Sequence, residues 1–131
     1  MRLLVSLLTI SLLFLGCDGS NAQVDGLALN EQSDDCSSLG NFKSYDEAIA
    51  KVKDAKFKVY ESVDTDKSSW IRGAYYYSCD GQSGFLIIET DKRPYIHAGV
   101  PLSAWNGFKT ASSLGSYYDH NIKGRYRLYL K

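Results

Sequence analysis

The sequence predicts a small α+β domain, an antiparallel β-meander of three to four strands packed with an N-terminal helix and two C-terminal helices. Three observations carry that prediction. Residues 44–56 repeat apolar positions at three- and four-residue spacing, residues 57–98 hold β-prone runs separated by short turns, and residues 101–124 return to the helical period. At 131 residues, with 44% hydrophobic and 23% charged positions, the chain has room for one such domain and little more. Ten tyrosines argue against wholesale disorder. The 15 basic and 15 acidic residues cancel, which excludes a basic coat or an acidic tail at the level of the whole chain.

Each element has its own signal. Ser44 offers an N-cap, and Asp46 and Glu47 place negative charge where the helix dipole favours it. Glu47 stands three residues after Ser44 and completes a capping box. Tyr45, Ile49, Val52 and then Ala55 or Lys56 form the apolar stripe of this helix. Phe57 to Val63 alternates as a half-buried strand. Trp70 to Cys79 reads as a strand with Ile71, Gly73, Tyr75 and Tyr77 on one face. Asp80 to Gly84 is turn chemistry, Phe85 to Thr90 a second strong strand, and Asp91 to Pro94 a further turn into Tyr95–Ala98. Pro101 suits the first position of a helix whose stripe is Leu102, Trp105, Phe108 or Lys109, and Ser112, with Gly115 as its stop. A last short helix, from Ser116 to Gly124, buries Tyr118 and Ile122. Tyr75, Tyr76 and Tyr77 cannot all face one core. Either both faces of the sheet are covered, or an aromatic patch is exposed to a partner.

The domain organisation follows: a signal peptide at 1–16, a flexible tether at 17–41 and a single α+β domain at 42–131. Arg2 precedes an apolar run from Leu3 to Leu15, thirteen residues or about 20 Å of helix, against a roughly 30 Å hydrocarbon core. A charged start and a short apolar stretch ending in a small residue make a secretory signal. Leu15-Gly16-Cys17 resembles the lipobox of bacterial lipoproteins, which implies lipid on Cys17 and attachment to a membrane of the cell envelope. Cleavage after Ser20-Asn21-Ala22, releasing a free periplasmic or secreted protein, is the alternative. If Cys17 carries lipid, Cys36 and Cys79 remain as an even pair in a compartment that permits a disulfide, the alternative being two separate thiols.

The span Ser68 to Tyr126 resembles the KTSC domain, a short bacterial module noted at the C-terminus of some lysyl-tRNA synthetases. The resemblance rests on the strands around a central Tyr-x-Tyr, on Val100-Pro101, and on the ending Ala111-Ser112-Ser113-Leu114-Gly115 with Ile122-Lys123 and Tyr126. In this chain the central motif reads Tyr95-Ile96-His97, with histidine as its last member, and an extra helix and strand precede Ser68. RNA binding is what the resemblance suggests; export makes RNA an unexpected partner. A shorter resemblance, Tyr77-Ser78-Cys79-Asp80-Gly81, is to lipid-anchored inhibitors of C-type lysozyme.

Charge and aromatic content supply the candidate site. Residues 17–66 hold 5 basic and 11 acidic side chains, whereas residues 67–131 hold 9 and 4. The basic half gathers Lys109, Lys123, Arg125, Arg127 and Lys131 among tyrosines. Tyr95, His97, Lys109, Tyr117, Lys123, Arg125, Tyr126 and Arg127 are the candidate binding residues for a protein or an anionic envelope component. Pairing of the basic half with the acidic half is the competing reading. Cys79, Asp80, His97, Asp119 and His120 are the residues a catalytic site would draw on. No nucleophile elbow, phosphate loop or zinc spacing accompanies them, so no enzyme, cofactor or metal is expected.

Overall fold

The computed structural model describes residues 35–131. The leader at 1–16, Cys17, the tether up to residue 34 and both candidate cleavage points lie outside the described residues. A 3-10 turn at Cys36–Ser38 leads to helix α1 (Tyr45–Asp54) and strands β1 (Val59–Ser62), β2 (Ile71–Ser78), β3 (Ser83–Thr90) and β4 (Tyr95–Pro101). Helices α2 (Leu102–Thr110) and α3 (Leu114–Asn121) follow. The strands pair antiparallel in the order β1-β2-β3-β4, the meander that short turns produce. Among the described residues, no helix is long and apolar enough to cross a membrane.

Helix α1 starts where its cap predicts. Ser44 Oγ accepts the Glu47 N–H at 3.1 Å. Glu47 reaches back one residue beyond the cap, accepting the Lys43 N–H at 2.7 Å. Ala48, Ile49 and Val52 are buried. Tyr45, assigned to the same stripe from spacing, is 55% exposed, because the buried stripe begins a turn later.

The strand face expected for β2 is broken. A register shift between Ile71 and Gly73 inserts an extra residue, so positions before and after it change sides. Ile71 consequently joins Ala74 and Tyr76 in one core, together with Leu86, Trp105, Phe108 and Tyr118. Tyr77 lies in a second core with Phe42, Ile49, Val52, Ile87 and Leu128, and Tyr75 packs against it. Helices α2 and α3 therefore close one face of the sheet, and α1 with the C-terminal segment closes the other. Double coverage, and not an exposed tyrosine patch, accommodates the three successive tyrosines.

The helix ends also differ from expectation. Helix α2 stops at Thr110, and Gly115 lies inside α3, where a Cβ would stand 2.5 Å from the Trp70 indole nitrogen. Glycine is there for close approach and not as a stop signal. Ser113 caps α3, accepting the Ser116 N–H at 3.2 Å.

Cys36 and Cys79 lie at disulfide distance, their Cα atoms 5.8 Å apart. Asp35 forms a parallel bridge with Lys56, and Cys36 N–H donates to the Lys56 carbonyl at 3.3 Å. Contacts with the domain thus reach back into residues that composition placed in the tether. Backbone pairing and one cysteine hold them, and neither leaves a periodic apolar signal.

Candidate functional site

The site is built at the β3–β4 turn. Thr90 Oγ1 accepts the Lys92 and Arg93 N–H groups, both at 3.2 Å, and donates to the Arg93 carbonyl at 2.9 Å. This one hydroxyl shapes the turn that presents two cations. Asp91, the carboxylate immediately before them in sequence, is taken by Arg72 through two bonds of 2.9 and 3.0 Å. The Arg93 guanidinium lies over the Tyr95 ring, 5.1 Å from its centroid. The hydrogen bond from Arg93, then its charge, hold the Tyr95 phenol below its ordinary range, with Lys92 and Lys123 adding to the effect and burial opposing it. Arg93 therefore covers one partly exposed ring, whose phenol also feels the charges of Lys92 and Lys123.

Behind this edge sits His97. It is 9% exposed, with Nε2 2.9 Å from the Tyr118 hydroxyl. Burial pushes the imidazole below its ordinary value, and a hydrogen bond with the Tyr126 backbone opposes that shift. Burial likewise pushes the Tyr118 phenol up to about 12. The pair is neutral at neutral pH and joins β4 to α3. The C-terminal segment runs alongside: Arg127 stands opposite His97 as an antiparallel bridge, and Ala98 N–H donates to the Tyr126 carbonyl at 3.3 Å. Leu128 is buried while Arg125 and Arg127 are exposed. An extended strip is thereby fixed along β4 with its cations outward.

Residues 67–126 match the KTSC domain. A crystal structure of a KTSC domain protein from Yersinia pestis is similar at 28% identity, covering 53% of this chain and 93% of that one, with a TM-score of 0.44. The comparison with curated proteins finds no match. The KTSC segment spans β2 to β4, α2 and α3. It leaves outside it the 3-10 turn, α1, β1 and the strip from Arg127 onward. Its ending has a structural meaning here, since Ser113 caps α3 and Gly115 admits the Trp70 ring.

Several candidates inside the KTSC segment have other work. Lys109 is not part of the cationic edge: its Nζ lies 2.6 Å from Glu61 Oε2, the same oxygen that accepts the Trp105 Nε1–H at 2.7 Å. Those two bonds, from Lys109 and then Trp105, hold the Glu61 carboxyl below its ordinary range. The competing reading, basic residues paired with acidic ones across the chain, is correct at this position. Tyr117 packs edge-on to Phe108 at 6.2 Å and covers Gly107. Tyr126 packs partly against the first core. Tyr95, Lys123, Arg125 and Arg127 remain as the exposed or half-exposed edge, with His97 as its support.

The catalytic candidates are not brought together. Cys79 faces Cys36. Asp80 Oδ1 accepts the Gln82 and Ser83 N–H groups at 2.8 and 3.1 Å and holds the β2–β3 turn, where Gly81 takes φ +80°. The five-residue lysozyme-inhibitor likeness falls on this turn. His120 Nδ1 lies 2.7 Å from the Ser116 carbonyl of its own helix. Among the described residues, no hydrogen bond joins any two of Cys79, Asp80, His97, Asp119 and His120. One group there has metal-ligand proximity, Asp35, Cys36 and Cys79, and two of its members are the facing cysteines.

Lys92 and Arg93 are the site residues that sequence reasoning missed. Thr90 three residues before Arg93, with Pro94 after it, was the available signal for a built turn. The removal of Asp91 by Arg72, nineteen positions earlier, leaves no local trace.

Proposed function

We propose that the protein is an envelope-anchored, non-enzymatic binding module that recognises an anionic component through the cationic edge around Tyr95. One observation carries this reading: Arg93 lies over the Tyr95 ring, beside Lys92 on the same turn, while Asp91, the carboxylate just before them, is bound to Arg72. Among the described residues Lys92 and Arg93 have no carboxylate in an ion pair, and cations so placed on a built turn meet an external anion at little cost in ordering. The leader and the lipobox-like Leu15-Gly16-Cys17 support the anchoring. Cys36 and Cys79 at disulfide distance suit an oxidising compartment.

Retention on immobilised polyphosphate tests the edge. The parent chain is expected to be held at low salt, and Arg93→Ala with Lys123→Ala to elute at clearly lower salt. Unchanged elution, or no retention of the parent, overturns the reading. Intact mass tests the anchoring separately: lipid on Cys17 and the loss of two hydrogens from Cys36 and Cys79 are expected. An untrimmed, fully reduced chain contradicts it.

A further inference from the structure

The strip from Arg125 to Lys131 combines two properties that a soluble anion does not require together. Its cations are free: the ion pairs among the described residues are Glu47–Lys51, Lys53–Glu89, Arg72–Asp91 and Glu61–Lys109, and none involves Arg125, Arg127 or Lys131. One large side chain of the strip is also fully outward, and a second is partly so. Leu128 is buried, yet Tyr129 and Leu130 beside it are 80% and 39% exposed. Lys131 N–H donates to the Phe42 carbonyl at 3.0 Å, which brings this end of the strip to the chain just ahead of exposed Tyr45. The backbone is held at both ends, so the exposure belongs to a fixed surface. Asp46 and Glu47 stand on the first turn of α1 nearby, and Glu47 is engaged by Lys51.

We propose that this strip is a membrane-interface surface, with Arg125 and Arg127 meeting the phosphates of anionic phospholipids and Tyr129 and Leu130 entering the headgroup layer. The inference rests on the anionic reading above and names its ligand class. Tyrosine has an apolar ring and a polar tip, which suits it to the boundary between headgroups and acyl chains. Arginine beside it gains from the negative surface potential of an anionic leaflet. A hydrated polyanion would satisfy the arginines and leave the Tyr129 ring in water; a bilayer surface satisfies both kinds of side chain. The strip lies almost wholly beyond the KTSC match, which ends at residue 126. It is therefore an addition of this chain to the matched segment.

The test uses the full chain in vesicles, with Tyr129→Trp as a local probe and the parent chain as baseline. Vesicles carry brominated acyl chains and contain either phosphatidylcholine alone or a mixture with phosphatidylglycerol. The added tryptophan fluorescence is expected to be quenched in the phosphatidylglycerol vesicles only. The quenching is expected to vanish at about 0.5 M salt and on Arg125→Ser with Arg127→Ser. No quenching, or the same quenching in both vesicle types, overturns the lipid assignment. If quenching fails while polyphosphate retention persists, the ligand is a soluble anion and the broader reading stands. If both fail, both are wrong.

Discussion

The buried residues on one face of the sheet all lie between Ile71 and Ile122, with Val59, Val63, Trp70 and Tyr126 packed partly against them, whereas most buried residues on the other face lie outside the KTSC match. On the first face Tyr76 stacks on Trp105, with ring centroids 5.4 Å apart and planes within 10°, and donates its hydroxyl to the Val100 carbonyl at 2.9 Å. Trp105, Phe108, Ile71 and Ile122 are all fully buried there. On the second face the matched segment supplies Tyr77, Ile87 and Ile96, and the additions supply Phe42, Ala48, Ile49, Val52 and Leu128. Several of its members, such as Ile49 and Leu128, keep some exposure. The matched segment thus supplies every buried residue of the core on one side of its sheet, with Val59 and Val63 packed at its margin, and this chain covers the other side with a helix, a cysteine link and a C-terminal strip. The difference locates the chain's individuality on the second face and along the β4 edge.

Four predictions bear on that contrast. Trp105→Ala removes the stacked ring and the donor to Glu61 from the first face. It is expected to cost about 3–5 kcal/mol, read as a lower denaturation midpoint with an unchanged slope. Cys36→Ser with Cys79→Ser opens a closure of 43 residues that ties the 3-10 turn to β2. The chain-entropy model expects a loss of about 4 kcal/mol, which thermal denaturation with and without reductant would reproduce in the parent. Ile49→Ala, on the second face, is expected to cost roughly 2–3 kcal/mol. Hydrogen exchange should then rise in α1 and the C-terminal strip, with β2 and β3 protected. Uniform loss of protection would mean that the two faces form one cooperative unit.

The smallest effect concerns acid. Burial lowers the folded pKa of His97 below its ordinary value of 6.5. The unfolded chain therefore binds the proton more readily, and the associated stability is complete above about pH 6.5 and is lost as pH falls below it. A denaturation series between pH 7.5 and 5 should show the decline, and His97→Gln should flatten it. A slope that is identical in the variant would assign the decline to other groups.

How much of this was legible depended on the range of the signal. The Ser44–Glu47 cap, the strand runs and Val100-Pro101 are local: Ser44 caps α1 as expected, the strands fall within a few residues of their runs, and Pro101 ends β4 and caps α2 one position ahead of the place expected for it. With Cys17 set aside for lipid, parity leaves Cys36 and Cys79 as a pair, and only the fold brings them to disulfide distance. The candidate edge was half legible: Tyr95, Lys123, Arg125 and Arg127 are there, but Lys109 is spent on Glu61, a partner 48 positions earlier. Gly115 read as a stop because glycine usually ends helices, whereas the Trp70 ring across the fold is what requires it. The slip at β2 leaves no mark in composition, so strict alternation put Ile71 on the wrong side.

Periodicity, caps and turn residues act within a few positions, so the linear chain was enough to specify the elements, their order and the α+β class. Which cations stay free, which tyrosines are covered and which face needs help from outside the KTSC segment depend on partners separated by tens of residues. Those outcomes arise from packing and from competition for a few carboxylates, and they exist only once the chain has closed on itself.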